Sequence, residues 1–384
     1  MKYNILTISI LLLFSACKHK LEIKEELSSI STENPIRVGV FSGNGASPVC
    51  IIETIEAIKI DPEMEAVAIS AADIETGKLQ TLDALVFPGG SGSKELNNLG
   101  ESGAAKVKAF GQTKGKGLVG ICAGAYLFAT TPTYPSLEIL KAENYREYYD
   151  RGRGLIGIRL TQDGKTIFPE LASQDTVFIQ YYDGPIYKSF DTMLYSAPAL
   201  ITSDIATHKG YPHNITPGRP AFLYGKYGEG KVFVSVGHPE ATAGMRWIVP
   251  RMIRWTLNKE LIAYGKKLVR PELNQKEILF YPKQKKQEKA DFWKLANEND
   301  ELVIEAIEDL HQLRSRPSIR WSIGLLRHHS PKVVIAAAHY LVESEYTPAI
   351  EDLECSVKSA NNKIIKDSLS IMLKQMKAML ASEE

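Results

Sequence analysis

In the stretch KGLVGICAGAYLFAT, residues 116–130, an apolar run passes directly into a glycine-flanked cysteine and then into helix-forming residues. The segment GLVGI has the continuous apolar character of a strand that is buried on both faces. Cys122 follows it between Gly120 and Gly124, and a sharp turn from strand to helix requires small residues at such positions. The stretch therefore predicts a strand, a nucleophile elbow at Cys122 and a helix.

Cys122 is placed where a thiol can become a nucleophile. The start of a helix has exposed amides and the positive end of the helix dipole, which together lower the pKa of a thiol. We therefore expect Cys122 to be ionised. The amide of Ala123 is expected to point to the position where a substrate oxyanion forms.

Strands alternate with helices around this elbow. IRVGVF and LDALVFPGG are typical of buried strands, while residues 49–58 and the segment SGAAKVKAFGQTKGKG predict helices. Helical crossovers between strands imply a parallel sheet covered on both faces. Residues 145–235 are richer in β-formers, and GEGK predicts a hairpin turn. The sequence predicts an α/β fold with a mostly parallel, doubly wound, flavodoxin-like sheet.

Two further motifs follow predicted strands and supply the groups that a cysteine nucleophile needs. FPGGSGS provides Gly89 and Gly90, and the Gly90 amide is a candidate second oxyanion donor. VFVSVGHPE places His238 after a late strand with Glu240 two residues on, so that the carboxylate can orient the imidazole. Since ligands gather at the carboxyl ends of parallel strands, these motifs predict one site with Cys122.

Several other residues are candidates for lining a substrate pocket. Tyr182 and Asp183 lie in YYDGPIY, where an aromatic pair and a turn can face a ligand, although a plain strand end is an equally open interpretation. Gly89 and Tyr126 lie beside the proposed oxyanion donors and the nucleophile. The expected substrate is a small amide or peptide-like molecule.

The order of glycine loop, Gly-x-Cys-x-Gly elbow and His-x-Glu resembles class I glutamine amidotransferase domains. FPGGSG, GICAGAY, YYDGPIY and GKVFVSVGHPE more closely resemble the amidotransferase-like N-terminal domain of some biotin–protein ligases, over about residues 36–258. Glutamine amidotransferases usually have a glutamine at the position of Tyr126, which puts glutamine itself in doubt as the substrate. The resemblance implies the following roles: Cys122 as nucleophile, His238 as general base, Glu240 as orienting carboxylate, and Gly90 with Ala123 as oxyanion donors.

The C-terminal part is different because it repeats. Three similar helical patterns begin at Asn299, Ser330 and Asn361, a spacing of 31 residues. A second helical segment lies between successive units, and paired helices at a fixed period predict a stacked solenoid. The pattern resembles HEAT-type repeats over residues 299–384, which form a candidate surface for a protein partner. Residues 259–298, with the basic run KQKKQEK, are expected to be a charged linker.

The N-terminus predicts export. A short charged start, an apolar run and small residues precede a cysteine in LLLFSACKHK. This resembles a bacterial lipoprotein signal, with residues 1–16 removed, Cys17 lipidated and residues 17–35 acting as a tether. A plain secretory signal with an incidental cysteine is the alternative. The expected location is the cell envelope, with the protein anchored to the membrane by lipid.

Composition excludes some functions and leaves two open. The chain of 384 residues has a formal net charge of +1, which gives no bias toward nucleic acid. The histidines show no metal spacing, and no cofactor motif is complete. Cys50 and Cys355 are expected to be buried and inert. The preferred hypothesis is a thiol hydrolase of C–N bonds using Cys122, His238 and Glu240, and the alternative is a non-catalytic binding or scaffold lipoprotein.

Overall fold

The computed structural model describes residues 34–146, 152–206, 210 and 212–379. The predicted signal peptide, the lipidated Cys17 and nearly all of the tether lie outside these residues. Described residues from Arg37 onward belong to one compact unit. In the described part of the chain, no helix has the length and apolar character needed to span a membrane.

The element bounds follow the predicted alternation in the first part of the chain. The strands are β1 (Ile36–Phe41), β2 (Met64–Ile69), β3 (Ala84–Phe87), β4 (Gly117–Ile121), β5 (Ala142–Asn144), β6 (Arg153–Leu160), β7 (Val177–Tyr182), β8 (Tyr187–Phe190), β9 (Tyr195–Ile201), β10 (Pro220–Tyr227), β11 (Gly230–Ser235) and β12 (Ile278–Leu279). The helices among them are α1 (Pro48–Ile58), α2 (Ala71–Glu75), α3 (Gly92–Gln112, broken at Gly100), α4 (Ala123–Phe128), α5 (Gln162–Ile167) and α6 (Ile248–Thr256). Six further helices follow: α7 (Pro282–Lys294), α8 (Asp300–Gln312), α9 (Ser318–Leu325), α10 (Pro331–Glu343), α11 (Ile350–Ser359) and α12 (Lys363–Ala378).

Ten strands form one mixed sheet, which confirms the predicted fold class. Strands β1, β3, β4 and β11 pair in parallel in that order, and β2 lies beyond β1. On the other side of β11 the strands β10, β9 and β6 pair antiparallel, and β6 also pairs with β7 and β12. The hairpin predicted at GEGK joins β10 to β11. Every residue of β3 and β4 is buried, as expected for strands covered on both faces.

The C-terminal helices begin at the residues that the repeat predicts or one residue later. Asn299, Ser330 and Asn362 are the N-cap residues of α8, α10 and α12, and both asparagine side chains accept a hydrogen bond from a helix amide. Their apolar faces form a core of their own, centred on Val303, Leu310, Ala337, Leu341, Leu353 and Leu369. The described chain therefore ends in a helical region with pairs of helices, and its assignment to HEAT-type repeats stays a prediction.

Two loops of the helical region contact the α/β part. Arg314 after α8 and Glu345 after α10 both adopt left-handed backbone, with φ of 53° and 52°, which reverses the chain after a helix. The Gln180 side chain donates a hydrogen bond of 3.3 Å to the Arg314 carbonyl, and the Gly244 amide donates one of 2.6 Å to Glu345 Oε2. Because the two loops lie one repeat apart, the same edge of the helical region binds the α/β part twice.

Residues 259–298 are more ordered than a linker. They contribute β12 to the edge of the main sheet, paired with β6, and then form α7. Most lysines of the basic run lie on the outer face of α7, whereas Glu288 and Asp291 are buried. The linker expectation is therefore corrected, because a charged run can cover the exposed face of a helix while its few inward residues anchor it.

Candidate functional site

Cys122 occupies the turn between β4 and α4 in a strained conformation. Its backbone angles are φ 52° and ψ −98°, outside the regions that a residue with a side chain ordinarily adopts. The Cys122 amide donates a 2.9 Å hydrogen bond to the Ser235 carbonyl at the end of β11. The neighbouring strand therefore holds the elbow in place, and the strain directs the side chain away from both elements.

Gly120 and Gly124 are needed because the elbow brings backbone segments into contact. A Cβ atom on Gly120 would lie 2.8 Å from the Gly124 carbonyl carbon, and one on Gly124 would collide with the Phe87 carbonyl oxygen. Real Cβ atoms almost never approach other heavy atoms this closely. The two glycines predicted to flank the nucleophile therefore permit α4 to pack against β3 and β4.

His238 and Glu240 form a buried hydrogen-bonded pair. His238 Nδ1 lies 2.7 Å from Glu240 Oε1, and both residues are 1% exposed. The His238 amide donates a 2.7 Å hydrogen bond to the Gln180 carbonyl of β7, which fixes the backbone position of His238. Since a carboxylate accepts hydrogen bonds, the pairing assigns the ring proton to Nδ1 and leaves a lone pair on Nε2.

The Nε2 lone pair is directed at an arginine and not at the thiol. Arg316 Nη1 lies 3.4 Å from His238 Nε2, and a guanidinium can only donate. Cys122 Sγ instead donates a weak 3.5 Å hydrogen bond to the Tyr182 carbonyl. Cys122 and His238 border one cavity and Glu240 lies behind His238, but no hydrogen bond joins the thiol to the imidazole among the described residues.

Arg316 was not expected at this site, because the sequence places it in a loop of the helical region. Its side chain is 10% exposed and its Nη2 pairs with Glu53 of α1. The same Nη2 atom lies 3.2 Å from Cys50 Sγ and 3.5 Å from Glu240 Oε1. The guanidinium therefore links α1, the His238–Glu240 pair and the helical region. No local sequence signal marks Arg316 or Glu53, and Cys50 was expected only to be buried.

The loop that presents Arg316 is fixed on both sides. The Ser315 hydroxyl donates a 2.5 Å hydrogen bond to Glu288 Oε1, and the Ser315 carbonyl accepts bonds from Ser318 at 2.6 Å and Tyr340 at 3.0 Å. Gln180 joins this loop to the histidine, because its carbonyl binds the His238 amide while its side chain binds the Arg314 carbonyl. The position of Arg316 against His238 is thus determined by tertiary contacts.

The protonation states at the site are set mainly by burial. Burial raises the pKa of the Cys122 thiol well above its ordinary value, with Cys50, Glu240 and Asp183 adding to the rise while Arg316 opposes it. The expectation that the helix start ionises Cys122 is corrected, because the cost of burying a thiolate exceeds the effect of a helix of only six residues. Burial, assisted by Arg316 and opposed by Glu240, lowers the pKa of His238, so the imidazole is neutral.

A cavity of about 420 Å³ opens beside these groups. Its lining is Ser47, Val49, Cys50, Gly90, Cys122, Tyr182, His238, Arg316, Pro317, Arg320 and Trp321. Of the four residues expected to line a pocket, Tyr182 does so, while Gly89, Tyr126 and Asp183 are not in the lining. A larger cleft of about 880 Å³ lies between residues 266–273 and α12, but none of the candidate catalytic residues borders it.

The remaining pocket candidates have other contacts. Tyr126 is buried and its hydroxyl donates a 3.3 Å hydrogen bond to the Gly184 carbonyl. Asp183 accepts a 2.9 Å hydrogen bond from the Gly152 amide and lies 3.9 Å from Arg153. Gly89 separates Cys50 from His238, since a Cβ atom on it would lie 2.7 Å from each of them. Of these residues, Gly89 is thus the one whose backbone lies directly against two residues of the cavity lining.

Two backbone amides near Cys122 have unused donors. The Gly90 loop is held by the 2.8 Å hydrogen bond from the Ser91 amide to the Gly45 carbonyl and by the 2.9 Å bond from the Ser47 amide to the Gly89 carbonyl. Neither the Gly90 amide nor the Ala123 amide donates to a protein group within the described ranges. Gly90 borders the cavity, and Ala123 is the first residue of α4 directly after Cys122.

Among the residues that the structure describes, two groups of side chains have the composition of a metal site. Cys50, His238 and Glu240 offer ligand atoms within 4.8 Å of one another, and Asp300, His328 and His329 form a second, more exposed group. In the first group Arg316 contacts all three members, so a guanidinium already supplies the positive charge there. Cys50, Cys122 and Cys355 are free thiols, and Cys355 is exposed on α11, which corrects the expectation that it is buried.

A family model described as the N-terminal domain of biotin–protein ligase matches residues 36–138. The matched stretch includes β1 to α4, with Gly90 and Cys122, and ends before His238. The α/β part of the chain is therefore similar to that domain over residues 36–138. No match is found among curated proteins.

The solved structures whose chains follow a similar course have low sequence identity to this chain. A ThuA-like protein from Bacteroides uniformis is 9% identical with a TM-score of 0.43, over 59% of this chain and 94% of that one. The glutaminase domain of CTPS from Trypanosoma brucei, solved with acivicin bound, is 9% identical with a TM-score of 0.40, over 59% of this chain and 96% of that one. A cytoplasmic protein from Salmonella typhimurium is 11% identical with a TM-score of 0.37, over 58% and 96% of the two chains.

Proposed function

We propose that this protein is a thiol hydrolase that cleaves a C–N bond in a small amide, with Cys122 as nucleophile, His238 as general base and Glu240 as orienting carboxylate. The observation that carries the proposal is the strained conformation of Cys122 at the edge of a cavity that it shares with His238. Such strain persists only where the surrounding structure imposes it, and it is concentrated at active sites.

The reaction follows from the protonation states. Because Cys122 is a thiol and His238 is neutral, His238 Nε2 takes the thiol proton as sulfur attacks the amide carbon. The oxyanion of the adduct accepts hydrogen bonds from the Gly90 and Ala123 amides, whose donors are otherwise unused. The imidazolium returns the proton to the nitrogen, the C–N bond breaks and an amine leaves. Water, deprotonated by His238, then hydrolyses the thioester to a carboxylic acid and restores the thiol.

Glu240 supports both proton transfers without changing its own protonation state. Its Oε1 accepts a hydrogen bond from Nδ1–H, with 2.7 Å between the oxygen and the nitrogen. Nε2 therefore stays available as the accepting atom, and the imidazolium is stabilised when it forms. Before the first transfer, Nε2 must be released from Arg316, which lies 3.4 Å away in this structure. Substrate binding therefore has to include a displacement of the Arg316 side chain.

The test is hydrolysis of a panel of small amides by the purified full chain, measured as amine or ammonia release. We expect Cys122→Ser and His238→Gln to reduce turnover by about 10³-fold or more, since each removes a member of one catalytic unit. Cys355→Ser is the matched control, because it removes an exposed thiol that is outside the cavity lining. Hydrolysis that survives Cys122→Ser at the wild-type rate would rule out Cys122 as the nucleophile.

A second candidate function is ligand binding without chemistry. It is favoured by the hydrogen bond from Arg316 to His238 Nε2, which occupies the atom that a general base must use. In that case the cavity binds a ligand and the helical repeats bind a protein partner, a role that rests on the repeat pattern alone. The wild-type chain would then release no amine from any amide, although a ligand would still protect Cys122 from alkylation.

We also propose that the protein is exported and anchored by lipid at Cys17, on the basis of the sequence LLLFSACKHK. The Cys17→Ala variant should move from the membrane fraction to the soluble fraction of the cell envelope, and Cys355→Ala should not. Mass spectrometry of the N-terminal peptide tests the modification directly. An unmodified N-terminus that begins elsewhere than at Cys17 would contradict the proposal.

A further inference from the structure

Two arginines from one turn of the helical region border the cavity that contains Cys122. Arg316 lies in the loop before α9 and Arg320 lies in the first turn of α9, and both belong to the cavity lining. Arg320 is exposed, and its side chain forms no hydrogen bond or ion pair with any residue that the structure describes. The helical region therefore presents two arginine side chains to the cavity, of which Arg316 is already paired with Glu53 and Arg320 is not paired with a described residue.

Arg316 retains a donor that the protein does not use. Its Nη2 atom pairs with Glu53 and its Nη1 atom points at His238, but its Nε atom is buried and has no hydrogen-bond partner within the described residues. A guanidinium has five N–H groups, and leaving a buried donor unpaired costs about 1–3 kcal/mol. Arg316 therefore has hydrogen-bonding capacity beyond the contacts that hold its side chain in place.

The ligand that fits these groups is an anion of carboxylate type. Guanidinium groups bind carboxylates through paired N–H donors, and the attraction is large where water is excluded. We propose that Arg316 and Arg320 form an anion-binding subsite, and that the substrate of the hydrolase is an amide carrying a carboxylate close to the scissile C–N bond. That the ligand is a substrate rests on the proposed function, but the anion-binding subsite itself does not.

The subsite would also connect substrate binding to the general base. A carboxylate that pairs with Arg316 competes for the guanidinium N–H that now faces His238 Nε2 at 3.4 Å. When that N–H turns to the carboxylate, the Nε2 lone pair becomes free to accept the Cys122 proton. A neutral amide does not compete for this N–H. The charge of the substrate therefore determines both how well it binds and whether the Nε2 lone pair becomes free.

The first test uses two alkylating agents of similar size that differ in charge. Iodoacetate carries a carboxylate and iodoacetamide is neutral, and each forms a thioether with a thiol while iodide leaves. The ratio of the iodoacetate rate to the iodoacetamide rate is measured at Cys122 by peptide mass spectrometry, with Cys355 as the reference thiol in the same chain. We expect the ratio at Cys122 to exceed that at Cys355 by about tenfold, since two nearby cations attract the carboxylate.

Substitutions then assign the preference to the two arginines. Arg320→Met should lower the ratio at Cys122 at least threefold, and Arg316→Met should lower it further. Because Arg320 is exposed, its substitution leaves folding intact even if Arg316→Met does not fold. Arg159→Met is the matched control, since Arg159 is exposed on β6 and lies outside the cavity lining. An unchanged ratio in Arg320→Met, or a wild-type ratio no higher than that of Cys355, would overturn the subsite.

A second test separates this inference from the proposed function. Succinamate and butyramide are compared as substrates, since they differ in a terminal carboxylate beside the same kind of amide. Faster hydrolysis of succinamate, lost in Arg320→Met, supports both proposals. Equal hydrolysis of the two amides would retain the hydrolase and overturn the carboxylated substrate. A charge preference in alkylation without hydrolysis of any amide would retain the subsite and overturn the hydrolase.

Discussion

His238 Nε2 lies 3.4 Å from Arg316 Nη1, across 78 positions of the chain. The imidazole comes from the end of the α/β sheet and the guanidinium from a loop between two helices of the C-terminal region. The contact makes the helical region a wall of the candidate site. In this arrangement His238, the proposed general base, shares a cavity with Cys122 but contacts Arg316 through its Nε2 atom.

We predict that Arg316→Met raises the pKa of His238. After burial, Arg316 is the largest cause that lowers this pKa, because a fixed positive charge disfavours the imidazolium. Removing it leaves Glu240 to favour the charged form. The measurement is a pH titration of His238 by NMR with labelled histidine. Arg320→Met is the control, and a His238 pKa that is unchanged or lower in Arg316→Met would contradict the prediction.

The depressed pKa of His238 also predicts how stability depends on pH. A group whose pKa is lower in the folded state binds more protons when unfolded, so its contribution is full above its ordinary pKa of 6.5 and is lost as pH falls below it. The free energy of unfolding should therefore decrease below pH 6.5 more steeply in the wild type than in His238→Gln. Urea unfolding at several pH values measures this, and parallel curves for the two proteins would contradict it.

We predict that Cys122 reacts slowly with iodoacetamide at neutral pH. Burial raises its thiol pKa, so the reactive thiolate is scarce until the solution is alkaline. Cys355 is exposed in the same chain and should be labelled first. Peptide mass spectrometry of a labelling time course at pH 7 and pH 9 gives both rates. A Cys122 that is labelled before Cys355 at pH 7 would mean that the site ionises the thiol after all.

Gly124→Ala should destabilise the fold by about 1–3 kcal/mol, the usual cost of forcing an added methyl group into a packed interior. The added Cβ would collide with the Phe87 carbonyl oxygen, and neither backbone can move without disturbing β3 and the elbow. Gly324→Ala is the matched control, because nothing lies within 4 Å of a Cβ there and alanine favours the helix by about 0.5–1 kcal/mol. Urea denaturation should move the two midpoints in opposite directions.

Glu345→Ala should weaken the attachment of the helical region to the α/β part. The buried carboxylate accepts a 2.6 Å hydrogen bond from the Gly244 amide and pairs with Arg270, and both partners would lose it. Breaking a buried ion pair by removing one partner costs about 3–5 kcal/mol. Glu343→Ala is the control, since its half-exposed pairs with histidines contribute little. Equal urea midpoints for the two variants would contradict this role of Glu345.

Most of the fold could be predicted from local sequence. The buried strands GLVGI and IRVGVF, the elbow at Cys122 and the hairpin at GEGK each depend on contacts within a few residues, so their pattern is visible in the chain itself. The period of 31 residues likewise predicted where α8 and α10 begin. The prediction that Cys355 is buried is wrong, because a small error in the assumed rotation of the helix moves a side chain from the core face to the exposed face.

The site could be predicted only in part. His238 and Glu240 are two residues apart, so their hydrogen bond follows from the local chain. The protonation of Cys122 does not, because desolvation depends on everything packed around the thiol. The structure of residues 259–298 differs from the predicted linker for a related reason. Their charge can be read from the sequence, but the pairing of β12 with β6 cannot.

The sequence by itself therefore determined the α/β class, the strained cysteine and its histidine–glutamate pair, since each depends on short-range patterns. Only the folded structure shows that Arg316 meets Glu53 and Cys50 at the cavity. Arg316 is more than 260 positions away from both residues, and a local sequence pattern cannot reveal contacts at that separation. A buried guanidinium is stable only where several distant acceptors surround it, and only the folded chain brings those acceptors together.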